Sequence, residues 1–115
     1  MWIFTTSGFI SAVQDSGDRT IIVRSRDQKS LINLSDKYKT KVIATPIADY
    51  PYRLILTHQQ FAEWIQEEAL KIDYPNFKSA AKIQRDSIFV KALNKVWSVM
   101  HDIEDGEARS RNEIR

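Results

Sequence analysis

Apolar and polar positions alternate along the first part of the chain and then change to helical spacing. Trp2 and Phe4 share one parity, and Phe9, Ser11 and Val13 share another, with the phase slipping at Ser7-Gly8. Aromatic and β-branched residues dominate from Trp2 to Gln14, so the segment reads as strand. Glycine tolerates backbone angles that other residues resist, so the slip is expected to be a bulge or break giving one bent strand or two short ones. Asp15-Ser16-Gly17-Asp18 is a turn signal. Thr20 to Arg26 follows as a strand, and the two sides of the turn are expected to form an antiparallel hairpin.

Asp27 is placed to cap a helix, since its carboxylate can accept from first-turn amides. Leu31, Leu34 and Tyr38 make its apolar stripe, and Lys37, Lys39 and Lys41 crowd its C-terminal end. Lys41 to Thr45 and Tyr52 to Thr57 read as strands, joined by a stiff connection with prolines at 46 and 51. Thr57-His58-Gln59-Gln60 fits a capping box, and Phe61, Trp64, Ile65 and Leu70 follow at helical spacing. Asp73-Tyr74-Pro75-Asn76 ends that helix. A last helical region from about Phe77 to Ile103 is expected to divide at Asp86-Ser87, with Asp86 capping the second piece.

This order predicts an α+β fold of type ββαββα(α). The sheet is mostly antiparallel with helices packed on one face, in a ferredoxin-like or related split arrangement. The second strand, the helix after it and the third strand can form one crossover. Residues 1–103 are expected to be a single domain, and 104–115 a charged, flexible tail.

Composition adds little to this picture. The chain has 115 residues, 43% apolar and 28% charged, which suits one ordinary domain. Cysteine is absent, which excludes disulfides, thiolate metal sites and a cysteine nucleophile and fits a reducing compartment. No apolar run approaches the about 18 residues of a membrane span. The N-terminus lacks the basic and long apolar regions of a signal peptide. A cytoplasmic location is the expectation. The net charge of +2, with both signs interspersed, shows neither the basic stripe of a nucleic-acid binder nor the acidic bias of a DNA mimic.

The most distinctive local feature is a repeated tripeptide, Asp49-Tyr50-Pro51 and Asp73-Tyr74-Pro75. It has two readings. One is turn chemistry, with Asp capping amides and Pro fixing the turn. The other is an aromatic and acidic rim around one cleft, with Tyr50, Tyr52, Arg53, Tyr74, Asn76 and Lys78 supplying stacking and hydrogen bonds to a ligand. Arg24 and Arg26 share one strand parity and, with Arg53, can hold an anion or simply face water. Thr5-Thr6-Ser7-Gly8 lacks the lysine and spacing of a phosphate loop. His58 and His101 stand apart, without metal-ligand spacing. Glu63, Glu67 and Glu68 read as a solvated helix face near Asp73. No serine nucleophile motif or dinucleotide fingerprint is present. Val90, Leu93, Trp97 and Met100 form a stripe that reads as core, or as a partner-binding face that favours a homodimer.

Three segments together look familiar: Met1 to Phe9 (MWIFTTSGF) with Ser11-Ala12-Val13, then Ala48-Asp49-Tyr50-Pro51-Tyr52-Arg53, then Ile72-Asp73-Tyr74-Pro75-Asn76-Phe77-Lys78. Val96-Trp97-Ser98 follows at a fitting distance. The combination resembles a widespread family of short, uncharacterised bacterial and phage proteins, over most of the chain up to Met100. The resemblance carries over no catalytic residue. It implies a stand-alone cytoplasmic protein of bacteria or of mobile elements they carry.

The functional expectation is a non-catalytic binding or protein-interaction module. Its candidate binding residues are Arg24, Asp49, Tyr50, Tyr52, Arg53, Asp73, Tyr74, Asn76 and Lys78. The partner is a protein, a small ligand or a second copy; no cofactor, metal, membrane or nucleic acid is expected. The alternatives are a small enzyme for a phosphate- or carboxylate-bearing substrate, using Arg24, Arg53, Tyr74 and Asp73, and an inhibitor or accessory factor of a mobile element.

Overall fold

The phase slip at Ser7-Gly8 is a reversal of the chain. In the computed structural model, which describes residues 1–17 and 19–114, β1 (Trp2–Thr5) and β2 (Gly8–Gln14) pair antiparallel with Thr5 opposite Gly8. Of the two expected outcomes, one bent strand or two short ones, the chain takes the second, with a tight hairpin turn at Thr6-Ser7 in place of a bulge. Its polar groups are satisfied locally, with the Ser7 amide donating to Thr5 Oγ1 at 3.2 Å. Gly8 is needed by close approach. A Cβ there would lie 2.2 Å from Ser30 Oγ, and that hydroxyl accepts from the Phe9 amide at 3.1 Å.

β2 pairs with β3 (Thr20–Ser25) as the expected antiparallel hairpin. Asp18 of the connecting turn motif lies outside the described residues. Asp27 accepts from the Ser30 amide at 3.2 Å, the role expected of it. The turn it caps starts as a short 3-10 segment (Lys29–Leu31) before α1 (Ile32–Tyr38). Lys39 ends α1 in the left-handed conformation, φ 50°, which frees the last carbonyls from continuing the helix.

β4 is only Ile43–Ala44, shorter than Lys41 to Thr45, and β5 is Tyr52–Thr57. The sheet order is β1-β2-β3-β5-β4, with every pairing antiparallel. β5 thus lies between β3 and β4, which run parallel to each other and are joined through α1. This is a split crossover, and the fold is α+β.

Period-two alternation divides the sheet into two faces. Ile10, Ala12, Ile21, Val23, Leu54 and Leu56 point to one side and form the main core with Leu31 and Leu34 of the first helical segment. α2 (His58–Leu70) adds Phe61 and Trp64 to it. The capping box that starts α2 is complete: Gln60 N donates to Thr57 Oγ1, and Thr57 N to the Gln60 side chain. Leu70 departs from the expected stripe and is exposed, because the end of α2 runs past the packed region.

α3 (Phe77–Gln84) and α4 (Ser87–Ile114) divide at Asp86, as the sequence predicts. Asn76 caps α3 by accepting from Ser79 N at 2.9 Å, and Asp86 accepts from Phe89 N at 2.9 Å. The two helices build a second, small core of Ala81, Phe89 and Leu93 against Phe9 and Phe77. Phe9 belongs to the opposite side of β2 from Ile10, so α4 begins against the other side of the hairpin. The segment from Glu104 onward continues α4 to Ile114, where the sequence reading expects a frayed tail. Its first turns are held by the packing of Phe89 and Leu93, and from that nucleus the helix propagates without further tertiary contact. α4 is therefore about 42 Å long. The radius of gyration, 16.7 Å, exceeds the about 13 Å of a compact chain of this size.

Candidate functional site

The side of the sheet away from the main core carries the site. Cross-strand partners share a face, so the register places Trp2, Ser11, Arg24, Arg53 and Ile43 in one row across all five strands. Val13, Ile22 and Ile55 form the next row in one direction, and Phe4 with Phe9 the next in the other. α4 stands over only one end of this face. Between them lies a cleft of about 850 Å³. Trp2, Phe4, Phe9 and Tyr50 form one wall, and Ile88, Ala92 and Val96 of α4 form the other.

Tyr50 fixes the polar edge of the cleft. Its side chain is buried between two guanidinium groups, Arg24 at 4.5 Å and Arg26 at 4.2 Å from the ring centre. The Arg26 side chain is 57% exposed, so its stacking contributes only about 0.5–1 kcal/mol, and the less exposed Arg24 contributes more. Arg26 also holds the carboxylate of Asp49 at 3.1 Å. The corner Asp49-Tyr50-Pro51 is thus fastened to β3 through two arginines. At the base of the cleft, Arg85 is paired with Asp27 and Lys29 with Asp86. The Phe89 amide, followed by the Lys29 ammonium, holds the Asp86 carboxyl below its ordinary value against the opposing effect of burial.

Arg24 and Arg53 differ from these paired cations. They face each other directly across β3 and β5. Arg24 donates to Ser11 Oγ at 2.8 Å, and the Nε atoms of both arginines, like that of Arg85, are buried without a hydrogen-bond partner. Among the described residues no carboxylate lies within ion-pair distance of either.

The second Asp-Tyr-Pro corner is elsewhere. Asp73, Tyr74 and Asn76 line a separate groove of about 960 Å³ between α2, α3 and the β1 hairpin, where Ile3, Trp64, Leu70, Ile72 and Ile83 supply the apolar lining. Tyr74 packs edge-on to Phe77. The two corners therefore do not share one cleft. Of the remaining expected residues, Tyr52 packs against the main core. Lys78 sits over the Trp97 ring at 4.7 Å. Trp97 itself is exposed with Met100, so their stripe is core only as far as Leu93.

No protein-family model matches the chain, and no curated protein or solved structure matches it. Sequence reasoning missed Arg85 and the α4 wall of the cleft, Ile88 and Val96. An isolated arginine at a helix break carries no signal. A residue such as Ile88, off the main stripe, would be found only by asking what covers Trp2 and Phe4. Among the described residues, no group of His, Asp or Glu is placed to hold a metal ion, and no helix is long and apolar enough to cross a membrane.

Proposed function

We propose that the chain is a non-catalytic binding module whose recognition surface is the open face of the sheet, with the cleft under α4 at one end. Its occupant presents an anionic group on an apolar body. The observation that carries this reading is the Arg24–Arg53 pair. Like charges directly opposite on neighbouring strands oppose folding, and buried donors left unbonded cost further free energy. An anion seated against the terminal nitrogens relieves the first of these costs. The exposed Trp2, Val13, Ile43 and Ile55 around the pair give the rest of the occupant an apolar floor. Proteins seldom leave such floors uncovered without a partner.

The dye anilinonaphthalene sulfonate, an apolar body with one anionic group, is a direct probe. Its fluorescence is expected to rise on binding the folded chain. Arg53→Ala and Tyr50→Ala are each expected to weaken binding roughly tenfold, the scale of one charge-assisted hydrogen bond. Binding by both variants equal to wild type, with far-ultraviolet circular dichroism and a cooperative thermal transition retained, overturns the reading.

The enzyme alternative draws on Arg24, Arg53, Asp73 and Tyr74. Those residues are divided between the open face and the separate groove, which leaves that reading without an assembled site. A mobile-element inhibitor would use the same recognition surface.

A further inference from the structure

Two largely apolar faces of this chain are, over most of their extent, without a partner among the described residues. One is the open sheet face. The other lies along the distal half of α4. Phe89, Leu93, Val96, Met100 and Ile103 recur at alternating spacings of four and three, which is the seam of a helix that packs lengthwise. Phe89 and Leu93 are 8% and 6% exposed, while Met100 and Ile103 are 56% and 65% exposed. The seam begins inside the fold and continues outside it. α4 has no break after Ser87, so its distal half cannot turn back onto its own sheet.

The fold itself shows what this seam packs against. Phe89 and Leu93 rest on Phe9, a residue of the open side of β2. The rest of the seam and the rest of that face are thus chemically matched, but they are out of reach of each other within one chain.

Charge points the same way. With 3.6 residues per turn, Glu104 and Glu107 fall on the seam side of α4, one and two turns beyond Met100. Their partners within the helix are His101 and Arg111, each at 3.4 Å and exposed. Such pairs contribute little and are readily exchanged. The open face offers Arg24 and Arg53, which have no carboxylate within ion-pair distance among the described residues.

We propose that the distal half of α4, from Val96 to Glu107, docks on the open sheet face of a second copy, with Glu104 and Glu107 against Arg24 and Arg53. The second copy's α4 returns the same contact. The inference rests on the open face being a binding surface and names its occupant. Such a dimer is isologous and closed, because each copy contributes one helix and one face.

Sedimentation velocity of the full chain over a range of micromolar concentrations tests it. The wild type is expected to dimerise. Met100→Glu with Ile103→Glu changes only exposed positions and is expected to give a monomer with unchanged circular dichroism. Arg24→Glu with Arg53→Glu in one chain, and Glu104→Arg with Glu107→Arg in another, are each expected to weaken self-association roughly tenfold or more. Mixed in equal amounts they are expected to form a heterodimer of near wild-type affinity, since both contacts then pair opposite charges. The Glu104→Arg, Glu107→Arg chain alters only exposed helix positions, so its result is read without the fold in question. A monomeric wild type overturns the proposal, and if Arg53→Ala still weakens the dye, the open-face reading survives it. A dimer indifferent to Arg24 and Arg53 means pairing of α4 with α4 and also overturns it. So does a mixture that fails to restore association.

Discussion

Arg85 donates to the carboxylate of Asp27 while its other terminal nitrogen reaches the Ser7 carbonyl oxygen at 2.9 Å. One nearly buried side chain, 6% exposed, thereby ties the corner between α3 and α4 to the turn of the first hairpin. Its guanidinium also lies over the Phe89 ring at 4.4 Å.

Arg85→Met keeps the apolar stem and removes the fork. Asp27 is 44% exposed, so water recovers part of its lost pairing. The cost is expected near 2 kcal/mol, between the values for exposed and buried pairs. Urea unfolding measures it, and a midpoint equal to wild type would show that the clasp is idle. Combined with Asp27→Asn in a double-mutant cycle, the change is expected to be less than additive.

Gly8→Ala is expected to destabilise by about 2 kcal/mol or more, as overpacking of a closed contact does. Ser30→Ala cannot rescue it, because the added methyl would still lie 2.8 Å from Ser30 Cα and 2.7 Å from Ser30 Cβ. Thermal unfolding of the single and double variants checks this. Rescue by Ser30→Ala would show that the hydroxyl alone sets the contact.

The Asp86 carboxyl titrates below its ordinary value of 3.8, chiefly because it accepts from the Phe89 amide. A depressed value in the folded state means that folding favours the charged form. The resulting stability is full above the ordinary value and is lost as pH falls through the lower, folded one. Asp86→Asn can still accept at the cap but carries no charge. Wild type is expected to exceed this variant in stability near neutral pH, with the gap closing as pH falls below about 4. Urea midpoints across that range decide it, and a constant gap would refute the linkage.

Local chemistry was legible wherever neighbours in sequence are also neighbours in space. The box at Thr57 and Gln60, the caps at Asp27 and Asp86 and the stripe of Leu31 and Leu34 all belong to this kind. The arrangement of β5 between β3 and β4 follows from the split crossover anticipated for the middle of the chain. What stayed hidden depends on which surfaces the fold brings together. The two Asp-Tyr-Pro corners have the same three residues, yet Tyr50 is buried between arginines and Tyr74 lines another groove. The tripeptide encodes a turn and not the destination of its ring. Trp97 and Met100 continue a stripe that is core at Leu93, but periodicity alone does not say where the body of the protein ends. The Arg24–Arg53 confrontation required the register of two strands separated by a helix.

The outer strands of the sheet are brief. β1 has four residues and β4 two, with Pro46 soon after the latter. Backbone donors and acceptors at a sheet margin can recruit an extended segment from another molecule, and short margins interrupted by proline deny it a template. Fibril-like addition of chains edge to edge is thereby disfavoured, and association is left to side chains, whose pattern can be specific.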